Sequence, residues 1–218
     1  MRSIAILAGG RATRFDGCDK SALVVDGRAI LDRQLDELSP LTDDIVIVGA
    51  RDARANGSRS AGAHPQGYQE ARAFRARGSV REVADIVPGC GPLGGVHAAL
   101  AAARGQHVLV VACDMPYVTA AFADHLFSLA GGVHIVVPKT ERGYHPLCAV
   151  YSRACLEHVA ANLAAGRLAL RELIDDVVPV HVVSEPEIGR FGRASRLLAN
   201  VNTPAEYASL EALQGHEL

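Results

Sequence analysis

Apolar residues recur along this chain in short runs, and the runs alternate with stretches of helical spacing almost from one end to the other. Residues 4–7, 45–48, 80–87, 108–113, 133–137, 147–151 and 178–183 predict strands, because each is a β-rich apolar run of strand length. Residues 30–38, 93–103, 120–130, 155–165, 169–174 and 204–213 carry the helical pattern. The run Val108-Leu109-Val110-Val111-Ala112 is apolar at every position, so it has no face to offer to water. Such a strand needs helices on both sides of its sheet, which is the condition of a mostly parallel sheet. The alternating order therefore predicts the α/β class, as a doubly wound, three-layer α/β/α sandwich. Residues 147–151 follow the preceding strand after only a short polar stretch, a spacing that permits a hairpin and predicts one antiparallel strand.

With 218 residues the chain is long enough for one sizeable α/β domain and short for two, so 1–218 reads as a single domain. Within it, residues 51–78 are rich in Arg, Ala, Gly and Ser and longer than an ordinary connection. They read as a mobile insertion, with 66–77 as a polar candidate helix. A net charge of −2 provides no general field for nucleic acid. The sequence has no apolar run of about 18 residues to span a membrane. Met1-Arg2 leads directly into the first strand with no secretory leader, so neither nucleic acid nor membrane is expected as a partner and the expected compartment is the cytoplasm. Cys18, Cys90, Cys113, Cys148 and Cys155 are odd in number and widely spaced, which predicts free thiols and no zinc site.

Candidate chemistry gathers where the first strand ends. There the chain reads Ala8-Gly9-Gly10-Arg11-Ala12-Thr13-Arg14-Phe15-Asp16-Gly17-Cys18-Asp19-Lys20. Adjacent glycines at a strand's carboxyl end let backbone N–H groups turn toward an anion. Arg11, Arg14 and Lys20 add charge, and one ion pair at about 4 Å is worth roughly 4 kcal/mol at an effective dielectric near 20. Lys20 and Lys139 are the only lysines in an arginine-rich chain, and a compact ammonium suits a phosphate oxygen. The spacing is not that of a P-loop, since Cys18-Asp19 separates Gly17 from Lys20-Ser21.

Asp114 closes the most apolar run and is followed at once by the turn Met115-Pro116-Tyr117. Ligands of open α/β sheets sit beyond the strands' carboxyl ends, so Asp114 is a candidate hard-oxygen ligand for magnesium; its bland alternative is a turn-forming hydrogen bond. Gly89-Cys90-Gly91-Pro92-Leu93-Gly94 satisfies G-x-G-x-x-G to the letter, which would imply a dinucleotide and an NAD(P)-dependent oxidoreductase. Pro88 and Pro92 oppose that reading, because Pro92 has no N–H for a pyrophosphate and fits better as the first residue of a helix. Gly94 and Gly95 then allow close approach of a ligand or of the sheet, and Asp85, at its own strand's end, is placed to accept from a ribose or base. Thr203, Pro204 and Glu206 form a capping box, which leaves the amides of Asn200 and Asn202 for either a polar substrate or loop hydrogen bonds. Nine histidines show no metal-like clustering, and His97 on its Ala-rich helix reads as packed or solvated.

Leu7-Ala8-Gly9-Gly10, Arg14-Phe15, Asp19-Lys20, Gly91-Pro92-Leu93, Cys113-Asp114-Met115-Pro116, His145-Pro146-Leu147 and Asn200-Val201-Asn202-Thr203-Pro204 together resemble the molybdenum cofactor guanylyltransferase family, over nearly the whole chain. The resemblance implies a Rossmann-like nucleotidyltransferase fold that binds GTP and Mg²⁺, attaches GMP to the terminal phosphate of molybdopterin and releases pyrophosphate. It implies GTP contacts at Leu7, Ala8, Gly9, Gly10, Lys20, Asp85 and Asp114, with Asp114 shared by the metal. Arg14, Lys20 and Asp114 become the expected catalytic groups, and Gly91, Pro92, Leu93, Asn200 and Asn202 the expected acceptor contacts. Molybdenum-enzyme apoproteins or their chaperones are the macromolecular partners it suggests. The chain departs from the family at Asp16-Gly17, where relatives often have Gly-Gly, at Gly49, where some use an Asn, and in the length of 51–78. The alternatives are a cytidylyltransferase using CTP on the same acceptor, a sugar-phosphate nucleotidyltransferase, and a GTP-binding module without catalysis.

Overall fold

A computed structural model describes residues 1–8, 24–49, 80–84, 86 and 89–201. The expected insertion 51–78 and the expected helix 204–213 lie outside these residues. The strands are β1 (Arg2–Leu7), β2 (Val24–Val25), β3 (Arg28–Ala29), β4 (Ile45–Val48), β5 (Val80–Val83), β6 (His107–Ala112), β7 (Ile135–Thr140), β8 (Gly143–Tyr144), β9 (Cys148–Ser152) and β10 (Val180–Val183). The described α-helices are α1 (Ile30–Leu38), α2 (Gly91–Ala102), α3 (Ala120–Ser128), α4 (Leu156–Ala164), α5 (Leu170–Asp176), α6 (Glu185–Ile188) and α7 (Ala194–Leu197).

Seven strands run side by side in the order β10-β7-β9-β6-β1-β4-β5. The pairs β10–β7, β6–β1, β1–β4 and β4–β5 are parallel, whereas β9 is antiparallel to both β6 and β7. The expected antiparallel strand is therefore β9, inserted between two strands that run the other way. A second, two-residue antiparallel strand, β8, folds back on the end of β7 and was not expected. Both follow from the short connection after β7, which cannot make the crossover that a parallel return requires. A further hairpin, β2–β3, turns at Asp26-Gly27, and both residues have positive φ (51° and 75°), as a two-residue turn matched to the strand twist requires.

The apolar alternation of β1 feeds two cores. Ile4 and Ile6 pack with Leu31, Leu35, Phe122 and Leu126 on the face covered by α1 and α3. Ala5 and Leu7 pack with Val96, Leu100, Val159 and Leu173 on the face covered by α2, α4 and α5. Each fully buried aliphatic side chain contributes about 1.5–3 kcal/mol, which is why the strands apolar on both faces hold the centre of the sheet. None of the described helices is long and apolar enough to cross a membrane. Several boundaries differ from expectation, including the starts of β1, β7 and β10 and the end of α5, and two of them bear on the site. Strand β5 ends at Val83 instead of 87, and α2 begins at Gly91, so that Pro92 is its second residue and not its first.

The register fixes the two ends of the sheet. Val83, Val48, Leu7 and Ala112 lie abreast across β5, β4, β1 and β6, so the carboxyl ends of these parallel strands form one row. At the opposite end sits Asp44, which is 1% exposed. Its carboxylate accepts from Ser3 Oγ at 2.6 Å, the Arg104 N–H at 2.8 Å and Arg81 Nη2 at 2.6 Å. Burial alone would raise its pKa; the hydrogen bonds from Ser3, Arg104 and Arg81 and the Arg81 charge outweigh burial and hold it below the ordinary carboxylate value. The amino-terminal ends of β1, β4 and β5 and the approach to β6 are thereby tied to one buried anion.

Candidate active site

Main-chain hydrogen bonds extend the row of strand ends by one residue each. Ala8 N donates to Val48 O at 2.8 Å, Gly49 N to Val83 O at 2.9 Å and Cys113 N to Leu7 O at 3.1 Å. Leu7 and Ala8 are thus held directly beside the turn that carries Asp114. That turn begins one residue beyond β6, and Asp114 is half-buried between the buried Cys113 and Met115. Its own carbonyl accepts from Val201 N at 2.8 Å, which brings Asn200, an exposed residue, to the same corner. Two stretches far apart in the chain, singled out separately from sequence, therefore meet at one strand end.

Helix α2 approaches this corner from the other face. A Cβ on Gly95 would stand 3.1 Å from Leu7 Cδ1, so the glycine lets the first turns of the helix lie close against the end of β1. Gly91 and Pro92 are exposed at the start of the helix, whereas Leu93 is fully buried in the core with Leu7. The Leu93 side chain thus anchors the helix, and Gly91 and Pro92 supply the accessible surface there. Pro92 lies in the first turn, where a dinucleotide fingerprint would need its missing N–H. Gly9, Gly10, Arg14, Lys20, Asp85 and Asn202 lie outside the described residues.

His145-Pro146-Leu147 borders the same corner, because Leu147 O accepts from Ala112 N at 2.9 Å. His145 pairs through Nε2 with Thr140 Oγ1 at 2.9 Å. Burial first, and then the Arg142 charge, lower its pKa against the opposing pull of Glu185, so its imidazole is neutral at pH 7. Gln34 went unnoticed in the sequence. It is 1% exposed on α1 and donates from Nε2 to Ala112 O at 2.8 Å and to Met115 O at 2.9 Å, the two carbonyls that flank Cys113-Asp114. The available signal was a polar residue at a core spacing, since Ile30, Leu31, Leu35 and Leu38 mark the buried face of α1.

Among the described residues no cluster of three or more His, Cys, Asp or Glu side chains could hold a metal on its own. A lone carboxylate at a strand end nevertheless fits magnesium, which is commonly bound by one or two carboxylates together with substrate phosphates. The described cysteines Cys90, Cys148 and Cys155 are free, and burial pushes Cys148 and Cys155 up to about 12.

Comparison with known proteins is consistent with this geometry. Residues 4–181 match the model of the MobA-like NTP transferase domain. A relative from Desulfosudis oleivorans named molybdenum cofactor guanylyltransferase is 32% identical over 95% of this chain and 93% of its own length. Another from Methanosarcina acetivorans, named probable molybdenum cofactor guanylyltransferase, is 32% identical over 96% and 89%. Among solved structures, the molybdopterin-guanine dinucleotide biosynthesis protein A of Archaeoglobus fulgidus superposes with a TM-score of 0.73 at 22% identity, covering 99% of both chains. The 2-C-methyl-D-erythritol 4-phosphate cytidylyltransferase of Thermus thermophilus superposes with a TM-score of 0.64 at 17% identity, covering 97% of both. These two likenesses establish the fold as that of the Rossmann-like nucleotidyltransferases. By its sequence match the chain belongs to the MobA-like NTP transferase family and is a nucleotidyltransferase.

Proposed function

We propose that this enzyme transfers GMP from GTP to the terminal phosphate of molybdopterin, forming molybdopterin guanine dinucleotide and pyrophosphate. The observation that carries the reading is the tying of the Asp114 turn to the end of β1 through Cys113 N and Leu7 O on one side, and to Val201, next to Asn200, through the Asp114 carbonyl on the other. The names of the relatives supply the substrates.

A phosphate oxygen of the acceptor attacks the α-phosphorus of GTP in line; the new P–O bond forms as the bond to pyrophosphate breaks. The acceptor phosphate is already largely ionised at neutral pH, so no strong general base is required of the protein. The chain's task is to position the reactants and to offset developing charge with fixed dipoles and cations. The amides of Gly9 and Gly10 and the side chains of Arg14 and Lys20 serve the phosphates, with Leu7, Ala8 and Asp85 along the nucleotide. Gly91, Pro92, the backbone at Leu93, Asn200 and Asn202 receive the acceptor. Asp114 holds Mg²⁺, which when bound neutralises phosphate charge. The product then passes to molybdenum-enzyme apoproteins or their chaperones in the cytoplasm.

Incubation with each of the four nucleoside triphosphates, Mg²⁺ and molybdopterin tests base, acceptor and reaction together. Pyrophosphate release with GTP alone, and a pterin product heavier by one GMP unit, is the expected result. Turnover with CTP in place of GTP reassigns the base, and nucleotide binding without pyrophosphate release reduces the protein to a binding module.

A further inference from the structure

Gln34 is a residue that packing alone does not explain. It occupies the buried face of α1, where the helical spacing of Ile30, Leu31, Leu35 and Leu38 calls for another aliphatic side chain. A buried carboxamide costs stability unless its polar atoms are bonded. Here the two N–H groups are bonded, to Ala112 O at 2.8 Å and Met115 O at 2.9 Å, whereas the buried Oε1 has no hydrogen-bond donor among the described residues. A leucine or methionine would fill the space without leaving that oxygen unsatisfied. What the glutamine adds is a fork of two donors, and the fork grips the two carbonyls on either side of Cys113-Asp114.

Main-chain hydrogen bonds also tie this turn to its neighbours. Cys113 N donates to Leu7 O at 3.1 Å, Met115 N to Ala112 O at 3.2 Å and Val201 N to Asp114 O at 2.8 Å. With the Gln34 fork these bonds clamp the backbone at the entry, the apex and the exit of the turn, so α1, β1 and Val201 together fix the backbone that carries Asp114. We infer that Gln34 is a positioning residue for the Asp114 carboxylate, holding the turn in the one orientation from which that carboxylate engages a metal–nucleotide complex. This rests on the proposed role of Asp114, and second-layer partners of metal ligands typically contribute about 10–100-fold in metal affinity or activity.

The test uses the full chain with Gln34→Met, which keeps length and removes both donors, and Gln34→Glu, which turns acceptor oxygens toward the two carbonyls. GTP affinity is measured by calorimetry in EDTA and again with Mn²⁺, whose electron paramagnetic resonance reports its ligands directly. The expected result is GTP affinity in EDTA within about twofold of wild type, with the gain that Mn²⁺ adds reduced about tenfold and kcat reduced in parallel. A role limited to packing would move the melting temperature and leave the Mn²⁺ gain untouched; that outcome in a folded Gln34→Met protein overturns the inference. Should both variants fail to fold, the wild-type Gln34 side-chain amide protons decide: slow solvent exchange supports the fork, and exchange as fast as that of a surface glutamine overturns it. A wild-type protein with no Mn²⁺ gain at all refutes the metal role of Asp114 and with it the positioning role toward metal, while the side-chain exchange still reports whether the fork exists.

Discussion

Replacing Asp44 with Asn separates charge from shape at the amino-terminal end of the sheet. The carboxylate accepts from Ser3 Oγ, the Arg104 N–H and Arg81 Nη2, two donors on one oxygen and one on the other. An asparagine has the same outline but only one accepting atom, so either way round its NH₂ confronts a donor that formerly had a partner. Breaking a buried ion pair by removing one charge costs about 3–5 kcal/mol. Arg81 is 29% exposed and keeps part of its hydration, so the low end applies, about 3 kcal/mol. For a chain of this size each kcal/mol moves the melting temperature by about 2–4 °C, so Asp44→Asn should melt about 6–12 °C lower at pH 7. The sign with pH follows from linkage. The folded pKa of Asp44 lies below its ordinary 3.8, so its contribution is complete above the unfolded value and is lost as pH falls through the folded one. Calorimetric melts of both proteins from pH 7 to pH 3 should therefore show the wild type losing its advantage at the acidic end. A difference below about 2 °C at pH 7, or one that stays constant down to pH 3, would refute the claim that this anion ties the strands together.

Lys20→Ala should lower kcat by about a hundredfold or more if the ammonium meets developing phosphate charge, and an almost unchanged rate rules that role out. Gly95→Ala places a methyl 3.1 Å from Leu7 Cδ1, so Leu7 must give way. The expected cost is about 1 kcal/mol, seen as a melting temperature lower by about 2–4 °C together with a raised KM for the nucleotide. A fully wild-type enzyme would show that the end of β1 tolerates displacement. Cys148 and Cys155, whose thiols burial pushes to about 12, should stay unmodified when the folded protein is treated with a thiol reagent at pH 8 and react once it is unfolded. Peptide mapping by mass spectrometry distinguishes the two states, and labelling of either residue in the folded protein contradicts their burial.

Several features were legible in the linear pattern. The central strands announced burial on both faces, and α1 spans the 30–38 read from its spacing. The β2–β3 hairpin was equally available, since Val24-Val25-Asp26-Gly27 carries a two-residue turn signal, but its strands are too short for alternation to stand out. Gln34 was hidden for the opposite reason, as a polar residue among the aliphatic side chains Ile30, Leu31, Leu35 and Leu38 of a helix that also buries Asp32. At the site, Leu7-Ala8, Asp114 and Asn200 were each found as separate motifs, and the buried side chain of Leu93 was not distinguished from its accessible neighbours.

Periodicity and turn chemistry are local properties, so the residues themselves dictate where strands and helices form, which strands must be covered on both sides, and which strand ends carry glycines, cations or an acid. Strand order and register depend on pairings between distant segments, which no local pattern encodes. The insertion of β9 between β6 and β7, the row that sets Leu7 abreast of Ala112, and the bond from Val201 to Asp114 belong to that second kind. They turn separate motifs into one corner, because only packing of the whole sheet brings those backbone groups within hydrogen-bonding distance.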